Sequence, residues 1–205
     1  MKNYLKAFLL TAAFVICLNM NSFANVGVAT WGGGFSSTFT EHAKSDGKEE
    51  KRNHDLNGWQ FGIKSHYYLS APWDYYSKSL SEFGLGVFYQ YSMLASDLKR
   101  TALGVDFIIG GGGCGGRGCC YVGLFGIGEY FRIYYSFNDK IELSYANEEV
   151  SGWGIGLGTG FEYAVNKSIR VFAEVMGEYS NYKKTDFKFE ILAWTLNVGL
   201  KFLVL

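Results

Sequence analysis

Three of the chain's four cysteines sit in one run, GGGGCGGRGCC, residues 110–120. A glycine-rich turn can cradle phosphate, and closely spaced cysteines can hold a metal, form a disulfide or do redox chemistry. This run lacks the Lys-Ser/Thr ending of a phosphate loop and no helical pattern follows it. It also lacks the second Cys/His pair that a zinc knuckle needs. The other chemically capable side chains are three histidines, His42, His54 and His66, and charges set among apolar residues. His42 and His54 fall in a charged stretch, and two histidines in such a stretch are usually simply solvated. No nucleophile–base–orienter set is legible, so no catalytic, cofactor or metal site is expected.

What positions these residues is a period of two. Residues 58–69 (GWQFGIKSHYYL) set Trp59, Phe61, Ile63, Tyr67 and Leu69 against Gln60, Gly62, Lys64, His66 and Tyr68. Residues 82–91, 101–109, 152–165 and 168–179 alternate in the same way, which is a strand pattern. Residues 26–40 read as a glycine-broken strand. Residues 121–137 read as another, in which Glu129 interrupts the apolar face and suggests a bulge or an error in phase. Residues 187–204 change face between Ile191 and Leu192, which predicts a bulge there. The total is eight strands of roughly 10–16 residues. They exceed the usual length of about 5–6 and suit tilted membrane-spanning strands.

Composition narrows the class. Lys+Arg and Asp+Glu number 19 each, which argues against nucleic acid as a partner. The chain is 48% hydrophobic with 17 Phe, 15 Tyr and 5 Trp, so its 27 glycines do not signal disorder. Lys2 and Lys6, an apolar core at residues 7–18, and Ser22 and Ala24 at the −3 and −1 positions form a signal peptide, residues 1–24, cut after Ala24. The bulky Ile16 disfavours acylation at Cys17. Twelve apolar residues fall short of the roughly 20 that a spanning helix needs, so a membrane role must be carried by strands.

One face of the strands is aromatic and aliphatic, and the other alternates glycine with charge. Gly weakens a water-facing strand, whereas a narrow barrel interior needs small residues beside large ones. The expected fold is all-β: an eight-stranded antiparallel up-and-down transmembrane β-barrel over residues 25–205. Its lumen would hold a polar network of Lys64, Glu82, Asp106, Arg132, Glu162, Arg170, Glu174, Glu178 and Lys201, together with His66. With both termini inside, residues 41–57 and 138–150 become long outer loops. Residues 92–99 and 180–186 become shorter outer loops. Residues 70–79, 110–119 and 166–168 become inner turns.

Residues 154–179 (GIGLGTGFEYAVNKSIRVFAEVMGEY) resemble the hairpin of small outer-membrane β-barrel proteins of the OmpA/OmpX/opacity type, with Glu162–Tyr163 and Glu174 in the characteristic places. Asn197, Gly199, Phe202 and Val204 resemble the spaced C-terminal signal read by the barrel-assembly machinery, although the family usually ends in Phe or Tyr and this chain ends in Leu205. The resemblance implies the bacterial outer membrane, with membrane lipids or lipopolysaccharide and the assembly machinery as partners, and a monomer. Some eight-stranded barrels are lipid A deacylases with a His, Ser and Glu set at the outer rim, but this chain has no His-x-Ser pair. The expected role is structural or adhesive, with outer loops touching host surface molecules; the alternative is a narrow channel or solute conduit. The glycine-cysteine run becomes an inner turn in an oxidising compartment. There Cys114 is a candidate to pair with Cys119 or Cys120, and an intermolecular bridge through the remaining cysteine stays open.

Overall fold

Alternating strands with two different faces must either stack or close, and these close. The computed structural model describes residues 26–45, 48–68, 82–95, 98–112, 127–143, 148–165, 168–184 and 187–204. The expected signal segment, Cys114, Cys119, Cys120 and the side chain of Glu82 lie outside the described residues. The strands are β1 (Val26–Ser45), β2 (Lys48–Tyr68), β3 (Glu82–Ala95), β4 (Leu98–Gly112), β5 (Ile127–Leu143), β6 (Glu148–Ala164), β7 (Ile169–Lys184) and β8 (Phe187–Val204). Each pairs antiparallel with its sequence neighbour, and β8 returns to β1 with Val26 opposite Val204, so the sheet is a closed eight-stranded barrel.

Three expectations need correction. The outer loops are mostly strand. β1 and β2 stay in register to Ser45 and Lys48, and β5 and β6 to Leu143 and Glu148. Where both faces of a ribbon meet water, both are polar, so the alternation that marks a strand disappears from the sequence. The expected pattern of long outer loops and short inner turns therefore does not hold: the outer strands are separated by residues 46–47, 96–97, 144–147 and 185–186. Second, β8 has no bulge, since its register runs unbroken on both sides. Ile191 points inward and Leu192 outward in ordinary alternation; the apparent change of face arises because Phe189 and Ile191 fill an apolar outer end of the interior. Third, the irregularity in β5 is not at Glu129, which sits on the outside opposite Phe161. It lies at Phe137–Asn138, where the register to both β4 and β6 shifts.

The interior is filled by interlocking sizes. At Gly62 an added Cβ would come within 2.3 Å of the Trp31 ring, so the indole lies flat over a glycine of the adjacent strand. Trp31, Phe88, Ile108, Tyr130, Tyr134, Phe172 and Met176 form an apolar and aromatic middle layer. Phe35, Phe39, Leu94, Leu98, Ile141 and Phe189 belong to a second cluster that closes the outer end.

Candidate functional site: the lumen network and the outer rim

Ten charged side chains are buried among the described residues: Lys64, Arg100, Arg132, Arg170 and Lys201 against Asp106, Asp139, Glu162, Glu174 and Glu178. Five cations meet five carboxylates, so the described interior charges balance, His66 aside. Burial of a charge is tolerable only with such pairing.

The pairs form three groups. In the first, Glu174 on β7 accepts from Lys64 Nζ at 3.0 Å, Tyr130 OH at 2.8 Å, Arg132 Nη1 at 2.8 Å and Asn197 Nδ2 at 3.3 Å. Arg132 Nε reaches Asp106 Oδ2 at 2.8 Å, and the other oxygen of Asp106 lies 2.6 Å from His66 Nε2. Strands β2, β4, β5, β7 and β8 thereby converge on one point. In the second group Glu162 takes Arg170 Nη1 at 2.9 Å and the Lys201 ammonium. In the third, Arg100 grips Asp139 with two parallel bonds of 2.9 and 2.8 Å, reaches Glu178 at 2.9 Å, and donates to Ser180; Tyr182 OH donates to Asp139 at 2.6 Å.

Of the nine expected network residues, eight are in these groups, and Glu82 is described only as the backbone partner of Gly110. Arg100 and Asp139 were missed. Arg100 is in phase with Asp106, since positions 100, 102, 104 and 106 share the inner face, and that phase could have found it. Asp139 could not be found by phase, because the bulge at Phe137–Asn138 swaps inner even positions for inner odd ones. Two residues of the expected assembly signal also line the lumen. Asn197 accepts from Gln60 at 2.8 Å, and at Gly199 a Cβ would lie 2.6 Å from the Phe172 ring. Phe202 faces outward, and Val204 ends β8 opposite Val26.

The outside is the reverse of the inside. Trp194 is 65% exposed and Leu196 and Val198 59% each, whereas Arg132 is 1% exposed. A water-soluble barrel puts its charges outside and its aliphatics inside. The chain has the architecture of a small outer-membrane β-barrel. Its apolar belt on β8 runs from Leu192 to Phe202, about 25 Å along the axis at about 3.3 Å per residue and a tilt of about 40°. Aromatics edge the belt: Trp59 lies 5.8 Å from Phe61 and 5.9 Å from Tyr91, and Trp153 lies 6.4 Å from Tyr135 and 5.8 Å from Tyr179 at the outer margin. Phe83 and Phe107 pair at 5.7 Å at the inner margin. Such girdles are the membrane-interface pattern.

No family model matches the chain, and no curated protein does. Among solved structures, it is similar to the outer membrane protease OmpT from Escherichia coli at 11% identity, covering 90% of this chain and 99% of that one, with a TM-score of 0.49. It is similar to Neisserial surface protein A at 12% identity, covering 85% and 97%, with a TM-score of 0.44. The outer membrane protein OprG from Pseudomonas aeruginosa stands at 12% identity, 88% and 97% coverage, and 0.44. At these values the likeness concerns architecture and carries no argument about activity.

Above the belt the exterior turns polar. Thr38 donates to Asp55 at 3.0 Å and Thr40 to Asn53 at 3.1 Å. Glu190 receives Lys188 Nζ at 2.5 Å and lies 3.6 Å from His42 Nε2. The hydrogen bond from Lys188 is the main reason the half-buried Glu190 carboxyl sits below the usual carboxylate range. The three histidines are dispersed. His42 and His54 are on the outer ribbon of β1 and β2, and His66 is buried in the lumen against Asp106.

Proposed function

We propose that the protein is a monomeric bacterial outer-membrane barrel whose role is surface contact, carried by the β1–β2 ribbon above the membrane. The carrying observation is an open strand edge. β2 pairs with β3 only from Trp59 inward, so among the described residues positions 48–57 have ladder partners on β1 alone. The belt itself has no edge; above it, among the described residues, this edge is the longest, the one on β6 covering only residues 148–151. An unpaired edge offers backbone N–H and C=O groups to an extended segment of another chain. The mixed-sign run KEEKR on this edge discourages indiscriminate strand addition and leaves room for a partner of matched charge.

Thr40 and Asn53 are register partners, so residues 41–52 can be replaced by an Asn-Gly turn without disturbing the belt. The shortened barrel is expected to fold, with its usual heat-dependent gel mobility. Bacteria displaying it are expected to lose adherence to immobilised matrix proteins and epithelial monolayers. Undiminished adherence would remove the ribbon from the role.

A solute conduit is the weaker reading. The cluster of Phe35, Phe39, Leu94, Leu98, Ile141 and Phe189 closes the outer end of the lumen, and among the described residues the ion pairs and the aromatic middle layer occupy the interior below it. In planar bilayers the protein is expected to give no steady unitary current; a stable conductance step would reverse this order of readings. The C-terminal residues Asn197, Gly199, Phe202 and Val204 remain the proposed assembly signal.

A further inference from the structure

The register of the outer ribbon places four basic residues in one transverse row. Lys51 on β2 is opposite His42 on β1, His42 is opposite Lys188 on β8, and Lys188 is opposite Lys183 on β7. All four belong to the outward face: they continue the alternation of Trp59 and Phe61 on β2, Gly34 and Ser36 on β1, Trp194 and Leu192 on β8, and Val175 and Tyr179 on β7. Like charges directly opposite one another weaken a sheet. Glu190 is in contact with both Lys188 and His42, and Asp55, further down β2, accepts from Thr38. Lysines 51 and 183 are exposed. Three lysines in one row, joined by His42 when it is protonated, favour an anion beside them.

Below the row, on the same four strands, the belt is indented. A groove of about 440 Å³ is lined by Gly34, Ser36, Gly58, Val175, Trp194 and Leu196. It exists because β1 carries no bulky outward side chain at Gly34, while Trp194 leans away over Gly177, whose added Cβ would lie 3.3 Å from the indole. Between row and groove lies a polar band of Thr40, Thr38, Asn53 and Asn181, in which the carboxylates of Asp55 and Glu190 accept from Thr38 and Asn181.

We propose that the outer face of β7, β8, β1 and β2 is a seat for one phosphorylated membrane lipid, its phosphate against the Lys51–His42–Lys188–Lys183 row and an acyl chain in the Gly34–Trp194 groove. The order of chemistry on the protein, cationic then polar then apolar, is the order along such a lipid: phosphate, ester or sugar, hydrocarbon. Basic residues at this height attract anionic headgroups, and a groove adds van der Waals contact that bulk lipid against a convex surface lacks. The seat rests on the outer-membrane placement proposed above.

The test uses Trp194 as reporter, since bromine on an acyl chain quenches a tryptophan it touches. The refolded full-length protein is placed in phosphatidylcholine vesicles containing acyl-brominated phosphatidic acid or acyl-brominated phosphatidylcholine at equal mole fraction. Subtracting the Trp194→Phe variant isolates the signal at the groove. The acidic lipid is expected to associate roughly fivefold more strongly than the zwitterionic one. In the triple variant Lys51→Gln/Lys183→Gln/Lys188→Gln the preference is expected to vanish. Gly34→Leu, where a Cβ meets nothing closer than 3.8 Å, is expected to reduce quenching of Trp194 with the row intact. Heat-dependent gel mobility confirms that each variant is folded. Equal quenching by both lipids would overturn the seat and leave the membrane placement standing. No quenching by either would overturn the placement itself. Loss of the preference on adding inorganic phosphate would show a site for free phosphate, and would overturn the lipid.

Discussion

Replacing Glu174 by leucine is expected to lower the stability of the barrel by about 3–5 kcal/mol, the cost of removing one partner from a buried ion pair. Glu174 is fully buried and accepts four hydrogen bonds, from Lys64, Arg132, Tyr130 and Asn197. Arg132 keeps Asp106 when the carboxylate goes. Lys64 keeps only aromatic faces, chiefly Phe172 with its centroid 4.5 Å from the ammonium. Such contacts return about 2 kcal/mol at most in a dry site, less than the charge lost by burial. At a urea slope of about 2 kcal/mol/M the midpoint falls by roughly 2 M. Glu174→Gln keeps shape and acceptor and should fall between. Adding Lys64→Met to Glu174→Leu removes the stranded ammonium and is expected to recover part of the loss. The exposed pair Lys140–Glu149 is the control, because its removal should cost no more than about 1 kcal/mol. A midpoint for Glu174→Leu as close to wild type as that of the control would mean the lumen network does not hold the strands together.

The same residues show what was legible beforehand. Asp106, Arg132, Glu162, Arg170, Glu174 and Lys201 were readable because each stands between two apolar neighbours, and Lys64 and Glu178 because they keep the phase of their strands. In a barrel, phase translates directly into inside or outside. Their partners were not readable. Which carboxylate meets which cation depends on the shear between strands, and a linear sequence does not state it. Asp139 shows the limit of phase: one irregularity at Phe137–Asn138 reverses it. The ribbon shows a second limit. Residues 41–57 read as a loop because a strand with water on both sides has no hydrophobic period, yet Thr40 still faces Asn53 in an unbroken ladder. The cation row was hidden for the same reason. His42 and Lys51 lie at one end of the sequence and Lys183 and Lys188 at the other, and they become one row only through three successive registers.

Glycine in these strands has two separable uses, and substitution should divide them. At Gly156 an added Cβ would lie 2.1 Å from Cε1 and 2.4 Å from Cζ of Tyr134. The ring cannot move aside freely, since Phe88 packs on it at 4.8 Å and the Arg132 guanidinium lies 5.4 Å from its centroid. Gly156→Leu is therefore expected to cost at least about 3 kcal/mol, the upper end of the range for overpacking, with refolding yield falling accordingly. Tyr134→Ala alone also destabilises, by about 3–5 kcal/mol, because it empties the space over the glycine. The double variant should be less damaged than the sum of the two by about 2 kcal/mol or more, since the leucine then occupies what the ring vacated. Gly34 is the counter-case. It faces outward, where an added Cβ would meet only Gly58 O at an ordinary 3.8 Å, and Gly34→Ala should leave stability within about 0.5 kcal/mol of wild type. Strict additivity at the Gly156–Tyr134 pair, read from urea midpoints, would mean that glycine weakens these strands only through the backbone. Coupling there with neutrality at Gly34 would mean that the inner glycines are sockets for specific rings, and that the narrow lumen is packed as a solid core in which the charges are embedded.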